Sequence, residues 1–342
     1  MGAEVLLSSL MTHEPTQVRL DPSIFHQDWW LEVARKFPDY RELTVVQENQ
    51  IVGRLPYVQW RNRFGLAFGH DPYWAHLGGP VVDRGLSASE QAKVICALIA
   101  QLPRRTTFSF ICDTTLYCAD IVRKAFLDAG FEHSTQITYL RLPGDRDVLD
   151  ERKRKHRGHI KRAAKCLDCV DIAPCEFTEF FESNLKARGK ESYAPLGMLP
   201  HILSEALMRG CGRVIAAKPN ALASEGRSLP YDAAIAYIWD DRRCYYWLST
   251  HRSVSEGDAG NKPHPDAVKL LMVNAMEHAQ SMNLIFDADG VVSAGADHLY
   301  RSILGLRMEE RRDVFRRAST LGRIYEKSRI KWMQRTPKYP TK

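Results

Sequence analysis

A helical stripe followed at once by an apolar strand is the feature that most restricts the fold of this chain. Apolar side chains recur at positions 268, 271, 272, 275, 279 and 282, which is the spacing of one helix face. Pro265 precedes the stripe, where its missing N–H is no loss to a helix. The strand after it, LIFDADG at 284–290, needs a sheet to pair with. A sheet covered by helices is the minimum that this stretch predicts.

The two halves of the chain repeat one order of predicted elements: helix, antiparallel strands, helix, strand, helix, strand. The predicted helices are 25–36, 87–102, 117–129, 151–165, two helices separated by Pro195 that end near Gly210, 266–282 and 297–304. The predicted strands are 42–48, 51–60, 106–111, 136–142, 168–174, 213–217, 231–239, 244–250, 284–287 and 311–315, with a glycine-rich and aromatic loop between 61 and 83. We therefore expect an α+β protein of two similar lobes, residues 1–145 and 146–342, each a mixed, mostly antiparallel sheet flanked by helices. The halves share no evident sequence identity, so the repeat is one of architecture.

Positive charge is concentrated in two segments. Residues 151–165 hold eight Lys/Arg and one Glu, which gives +7, and residues 301–342 hold thirteen against four, which gives +9. The whole chain carries +7, so the remainder carries 7 − 16 = −9. Such a distribution suggests a partner that bears phosphate groups or is a polyanion. Solvated basic helices are the alternative.

The apolar and charged fractions, 44% and 26% of the 342 residues, are those of an ordinary globular protein. No apolar run approaches the roughly 18 residues of a spanning helix. The N-terminal segment has no basic lead and no clear cleavage site, so we expect a cytoplasmic protein without a membrane span.

Cysteine and histidine come close together in one segment, where Cys166, Cys169 and Cys175 follow His156 and His159. Zinc uses these ligand types, but a second well-spaced pair is missing. We expect no metal here and interpret the cysteines as small core residues.

The Asp-x-Asp-Gly of 287–290 is typical of haloacid-dehalogenase phosphotransferases, in which the first aspartate is the nucleophile. In those enzymes this strand comes first and a doubly wound domain follows it. Only 52 residues follow Gly290, and they contain neither the strand–helix repeats nor a later acidic pair. The position of the motif therefore argues against phosphate transfer.

The same block resembles the second lobe of the Fem-type aminoacyltransferases and their FemAB-like relatives, which are paired GNAT (general N-acetyltransferase) lobes. The matching positions are Phe286, Asp287, Gly290, Tyr300, Arg301 and Gly305. The basic helix RKRKHRGHIKRAAK resembles the family's opening of that lobe, and FHQDWWLEVA resembles its N-terminal helix. The loop VVSAGA and the second aspartate, Asp289, depart from the pattern, and the long helical arm of some cell-wall members has no counterpart.

This resemblance implies an N-acyltransferase that moves an acyl or aminoacyl group from an activated carrier to an amine and needs no further cofactor. The leading hypothesis is transfer from aminoacyl-tRNA to an amine of a small molecule or peptide precursor. An acyl thioester, either acyl-CoA or an acyl carrier protein, is the alternative donor. A second alternative is a non-catalytic paired lobe that binds RNA or another polyanion.

The segment before the helix at 266–282 helps to distinguish the two possible donors. Coenzyme A sites of the ordinary kind direct backbone N–H groups of a glycine-rich turn at the pyrophosphate. Here Pro263 and Pro265 have no N–H to offer, and Asp266 repels phosphate. The basic helix instead predicts tRNA phosphate contacts on one stripe, made by Arg154, Arg157, Lys161 and Lys165.

Three residues are candidates for the chemistry, which needs a base for the acceptor amine. Asp287 and Asp289 end a central strand, and His251 ends the strand that lies beside the acyl group in GNAT lobes. The alternatives are that Asp287 caps a turn and that His251 is an exposed loop residue.

Five further residues are candidates for substrate binding, each with a structural alternative. Arg252 and Arg301 suit a phosphate or carboxylate, although Arg301 fits an ion pair equally well. Tyr300 is either a site residue or core. Tyr73 and Trp74, in DPYWAHLGGP, are expected to line the acceptor cleft or simply to pack.

Overall fold

The structure, a computed structural model, describes residues 20, 22–145, 154–220, 230–253, 262–290 and 294–325. Its α-helices are α1 (Asp28–Arg35), α2 (Ala88–Ala100), α3 (Ala119–Asp128), α4 (Arg154–Cys166), α5 (Pro174–Ala187), α6 (Leu199–Met208), α7 (Ala267–Ser281) and α8 (Ala294–Asp297). Its strands are β1 (Tyr40–Gln47), β2 (Gln50–Arg61), β3 (Ala67–His70), β4 (Val81–Val82), β5 (Thr106–Asp113), β6 (Glu132–Arg141), β7 (Leu167–Asp171), β8 (Gly212–Pro219), β9 (Ala233–Trp239), β10 (Arg243–His251), β11 (Ile285–Gly290) and β12 (Arg307–Arg317). The predicted α+β class is confirmed.

The strands of the described residues form one mixed sheet in the order β1-β2-β3-β5-β12-β6-β11-β10-β9-β8-β7, with β4 paired to β2. The last strand of each half pairs across to the other half. β12 lies between β5 and β6, and β6 in turn lies between β12 and β11. The two halves are thus joined by continuous backbone hydrogen bonding. The predicted boundary between 145 and 146 stays a prediction, since residues 146–153 lie outside the described part.

Local sequence signals set several of these elements. Glu48 and Asn49 both adopt positive φ, 49° and 65°, which is the backbone that a two-residue turn needs to join β1 to β2. Ser87 and Glu90 form a capping box that begins α2. The predicted loop at 61–83 was wrong in part, because it contains β3 and β4.

Three apolar cores cover the sheet. One packs α2 and α3 on the first half, and a second packs α4 and α7 on one face of the second half. The third core contains residues of both halves, and it includes the ring pairs Trp30–Trp247 at 5.4 Å and Phe25–Tyr245 at 5.1 Å. This shared core fixes the first half against β10. None of the helices in the described ranges is long and apolar enough to cross a membrane.

Candidate active site

The sheet opens where β10 and β11 separate. The two strands pair in parallel only from Arg243 to Tyr245 and from Ile285 to Asp287. The other edge of β11 pairs with β6 from Phe286 to Gly290, with a register irregularity between Asp287 and Gly290. The predicted aspartates therefore lie where the pairing between β10 and β11 ends.

Asp287 is fully buried, and both of its carboxylate oxygens are occupied. One oxygen accepts from the hydroxyl of Thr138 at 2.6 Å and from the N–H of Asp289 at 2.8 Å. The other accepts from Arg312 at 2.9 Å and from Arg243 at 3.3 Å. A carboxylate with four donors is a fixed anion that orients its neighbours. Asp287 holds Arg312 and Arg243 in place and offers no free oxygen to a substrate.

Asp289 is the more exposed of the two aspartates. Its φ of 67° is unusual for a residue with a side chain, and its side chain keeps 29% exposure. One carboxylate oxygen pairs with Arg312, and the other lies 3.0 Å from Nδ1 of His76. Burial alone would raise the pKa of Asp289, but the charges of His76 and Arg312 outweigh it and hold that pKa well below its ordinary value. Asp289 is thus ionised near pH 7 beside the imidazole of His76.

His76 was not a candidate from sequence, although it lies two residues after Trp74 in the flagged segment. Its ring stacks on Phe25 at 5.8 Å, and its side chain is 11% exposed. Nδ1 lies 3.0 Å from a carboxylate oxygen of Asp289 but outside hydrogen-bond geometry, and no described residue hydrogen-bonds Nε2. An imidazole paired with a carboxylate, with its second nitrogen available, can act as a general base.

The segment 71–80 that carries His76 is fixed from both ends. The carboxylate of Asp71 accepts from the N–H of Gly79 at 3.1 Å and from the N–H of Ile111 at 2.8 Å. These side-chain bonds connect the segment to β5 after β3 has ended at His70. Burial raises the pKa of Asp71 to about 7, against the opposing effect of these bonds. A Cβ at Gly78 would lie 1.9 Å from an oxygen of Asp71, which only glycine avoids.

The bulge in β10 holds the middle of the same segment. The register of β10 shifts at Trp247, whose indole N–H donates to the carbonyl of Trp74 at 2.8 Å. Trp74 has a φ of 67° and is buried, and its own indole donates to the carbonyl of Pro195 at 3.1 Å. Trp74 therefore anchors the segment across both halves. Tyr73 is also buried and donates its hydroxyl to Asp39 at 3.0 Å.

Tyr300 borders the aspartates from a π-helical turn, His298–Ile303, and π-turns are frequent at functional sites. Its side chain is 8% exposed, and no described residue hydrogen-bonds its hydroxyl. Burial, then the neighbouring Tyr246 and the carboxylates of Asp289 and Asp287, raise the pKa of Tyr300 far above its ordinary value. The hydroxyl therefore keeps its proton and is available as a donor.

Three other predicted residues have different surroundings. His251 stands six residues beyond Tyr245, the β10 partner of Asp287, or about 20 Å along the strand. Burial and the charge of Arg188 lower its pKa. Arg252 is buried against Asp232 at 3.2 Å. Arg301 is 64% exposed and pairs with Asp297 at 3.4 Å, which fits its structural alternative.

The predicted basic helix is α4. Ile160 and Leu167 are buried against the core of the second half, while Lys161 and Lys165 are exposed and form no ion pair with a described residue. Arg157 is half-buried on the same stripe. The Arg154 side chain lies outside the described part, although its backbone begins the helix.

The N-terminus of α7 is filled by the chain's own groups. Asp266, which is 4% exposed, contacts Lys269 at 2.5 Å and His159 of α4 at 3.2 Å. Burial would raise the pKa of Asp266, but Lys269 and His159 lower it overall, so its negative charge is retained. The N–H of His264 is already used by Asp232 at 2.8 Å. This end of α7 offers an anion where a pyrophosphate would need donors.

The cysteines of 166–175 and the two cavities described below lie outside the cluster of His76, Asp287, Asp289 and Tyr300. Cys169 and Cys175 are exposed, so the interpretation as core cysteines was wrong for both. Within the described residues no three or more His, Cys, Asp or Glu side chains are grouped to hold a metal. Cavities of 470 and 340 Å³ lie at other places, lined in one case by Arg61, Arg104 and Arg105 and in the other by Arg84 and Arg242.

No protein-family model and no curated protein matches the chain. Among solved structures, FemX is similar at a TM-score of 0.54, with 12% identity over 84% of this chain and 90% of that one. The C-terminal domain (DUF2156) of a putative lysylphosphatidylglycerol synthetase from Agrobacterium fabrum is similar at a TM-score of 0.54, with 11% identity over 87% of this chain and 90% of that one. The resemblance predicted from the sequence is thereby confirmed for the fold: the chain has a Fem-like GNAT fold.

Proposed function

We propose that this protein is an N-acyltransferase that forms an amide by moving an aminoacyl group from aminoacyl-tRNA to an amine of a small molecule or peptide precursor. The observation that carries the proposal is the contact between His76 and Asp289 at the divergence of β10 and β11, 3.0 Å long, with Nε2 of His76 available. The fold supports it, since FemX and a domain named as a lysylphosphatidylglycerol synthetase share it.

The chemistry follows from the groups at the divergence. The acceptor nitrogen attacks the ester carbonyl, and His76 takes the proton that the nitrogen loses. Asp289 stabilises the imidazolium formed, because its carboxylate keeps its charge. The hydroxyl of Tyr300 donates to the oxyanion. The C–O bond of the ester then breaks, and the proton held by His76 passes to the departing ribose oxygen.

Two features support aminoacyl-tRNA over an acyl thioester as the donor. The buried carboxylate of Asp266 and the missing N–H of Pro265 disfavour a pyrophosphate at α7. The exposed Lys161 and Lys165 suit a phosphodiester backbone, and α4 reaches the start of α7 through His159. The base and the oxyanion donor suit either ester, so the donor assignment depends on these surfaces.

Native mass spectrometry of the protein purified from its own host tests the donor. We expect a retained tRNA enriched in one isoacceptor, which also names the amino acid. Retained acyl-CoA would instead indicate a thioester-dependent acyltransferase. RNA bound together with an unchanged function in a His76→Gln variant would instead favour the non-catalytic alternative.

A further inference from the structure

The end of the sheet opposite the His76–Asp289 contact carries a surface rich in arginine. Three segments meet there: residues 59–68, 101–107 and 316–325, the last including a helical turn at 320–325. Together they contain seven arginines (61, 63, 104, 105, 316, 317 and 323), no lysine, and no Asp or Glu. We call these three segments the arginine–aromatic face.

The cations of this face are poorly neutralised. Arg104 and Arg105 are exposed and pair with no carboxylate of the described residues. Arg61 donates to the carbonyl of Gly65 at 2.8 Å, and the carboxylate contact of Arg323 is a long one, 3.5 Å to Glu132. Burial and the charge of Arg104 lower the pKa of Arg317. The unpaired charges of Arg104 and Arg105, held beside that of Arg317, indicate a surface that meets an anion from outside.

Aromatic rings are interleaved with these arginines. Phe64 is 60% exposed, lies under the guanidinium of Arg63 at 4.8 Å and contacts the ring of Tyr325 at 5.9 Å. Trp60 stacks on Phe68 at 5.9 Å just behind them. An exposed ring beside a guanidinium group is a platform on which a flat base can stack.

A cavity of 470 Å³ lies between the three segments. Arg61, Arg104 and Arg105 line it together with polar groups of Gln59, Ser319 and Thr320. This volume falls within the roughly 300–1,000 Å³ of pockets that hold small groups. A recess with hydroxyl and amide groups suits a nucleotide unit, whereas a lipid headgroup layer would need only the outer charges.

We propose that the arginine–aromatic face binds RNA, with Arg61, Arg104 and Arg105 on the phosphates and an unpaired base stacked on Phe64. Arginine suits this task better than lysine, since its planar fork pairs with phosphate through two bonds and also stacks. The face is a second site, because β5 runs about 20 Å from Thr106, beside the cavity, to Asp113, which pairs with Arg312. The proposal does not depend on the transfer reaction. If the donor is aminoacyl-tRNA, the face contacts a part of that molecule remote from its ester.

Fluorescence anisotropy of the full chain with a labelled oligouridylate and with a duplex RNA of equal length, over a salt series, tests the proposal. The triple variant Arg61→Gln, Arg104→Gln, Arg105→Gln is expected to bind the single strand at least tenfold more weakly. Its logarithmic salt slope should fall by about 2, at roughly 0.7 for each lost phosphate contact. Phe64→Ala should weaken the single strand by about fivefold and the duplex by less than twofold.

A matched control removes the same charge elsewhere: Lys124→Gln, Lys186→Gln and Arg209→Gln, which all lie in surface ion pairs. This control and His76→Gln should leave RNA binding within twofold of the parent protein. Equal losses in the control and the test variant would overturn the proposal. So would unchanged RNA binding in a test variant that has lost binding to phosphatidylcholine–phosphatidylglycerol vesicles, since the face would then serve an anionic lipid surface.

Discussion

Nδ1 of His76 lies 3.0 Å from Oδ2 of Asp289, although the two residues come from opposite halves of the chain. The exchange of β6 and β12 between the halves makes this contact possible, because it brings β11 beside the strands of the first half. Arg312 of β12 then bridges Asp287 and Asp289 from the other side. The proposed site therefore depends on the joining of the halves.

The charge of Asp289 should make the native state sensitive to acid. Its pKa in the native state lies below the unfolded value of about 3.9, so its contribution is complete above that value and is lost as the pH falls through the native pKa. Asp289→Asn should lower the free energy of unfolding by about 1–3 kcal/mol near pH 7. Urea unfolding of both proteins should show this difference constant above about pH 5 and shrinking below pH 4. A difference independent of pH would contradict the assignment.

Asp71 should have the opposite effect on the pH dependence of stability. Its native pKa of about 7 lies above the unfolded value, so the native state binds more protons between about pH 4 and pH 7. The stability of the parent protein relative to Asp71→Asn should fall as the pH rises through this window and level off above it. The change amounts to about 4 kcal/mol at most. Parallel stability curves for the two proteins would refute the buried, proton-binding carboxyl.

The bond from Trp247 to the carbonyl of Trp74 should matter more to activity than to stability. Trp247→Phe keeps most of the packing and removes the donor, which should lower the free energy of unfolding by about 1 kcal/mol. Trp247→Ala also leaves a cavity and should lower it by about 3–5 kcal/mol. Because Trp74 and His76 share one segment, the Phe variant should lose more turnover than its stability implies. Turnover of the Phe variant equal to that of the parent would show that the position of segment 71–80 does not affect catalysis.

The exposed lysines of α4 should affect binding of the donor and not the rate of the chemical step. Lys161→Gln with Lys165→Gln is expected to raise KM for aminoacyl-tRNA by about tenfold, with kcat within twofold, and to weaken its salt dependence. Lys124→Gln with Lys186→Gln removes equal charge from other helices and serves as the control. The same KM for both double variants would show that α4 does not contact the donor.

Periodic segments of the chain predict their own structure well. The stripe at 266–282 forms α7, and the basic run forms α4. The segment 61–83 was interpreted as a loop, because β3 and β4 are short and their apolar residues are interrupted by glycine and aromatic residues. Strand exchange between the halves leaves no local signal, since register in a sheet depends on partners that are distant in sequence.

The candidate site was predictable only in part for the same reason. Asp287 and Asp289 were found because they end an apolar strand, but their different roles depend on Arg243, Arg312 and Thr138, which come from three other strands. A histidine within a packed segment looks like a core residue until its partner is known. His76 is such a case, since only the folded chain brings it to Asp289.

Transfer of a radiolabelled amino acid from a pool of charged tRNAs to a base-stable amide product tests the central claim most directly. The acceptor is the small-molecule and peptide extract of the host, and the parent protein is compared with His76→Gln. His133→Gln is the control, because His133 also pairs with an aspartate, Asp313 at 2.8 Å, but lies outside the site. We predict transfer by the parent and the control, and a rate about 10²–10⁴-fold lower for His76→Gln. Transfer at the parent rate by His76→Gln, or transfer only from acyl-CoA, would contradict the account.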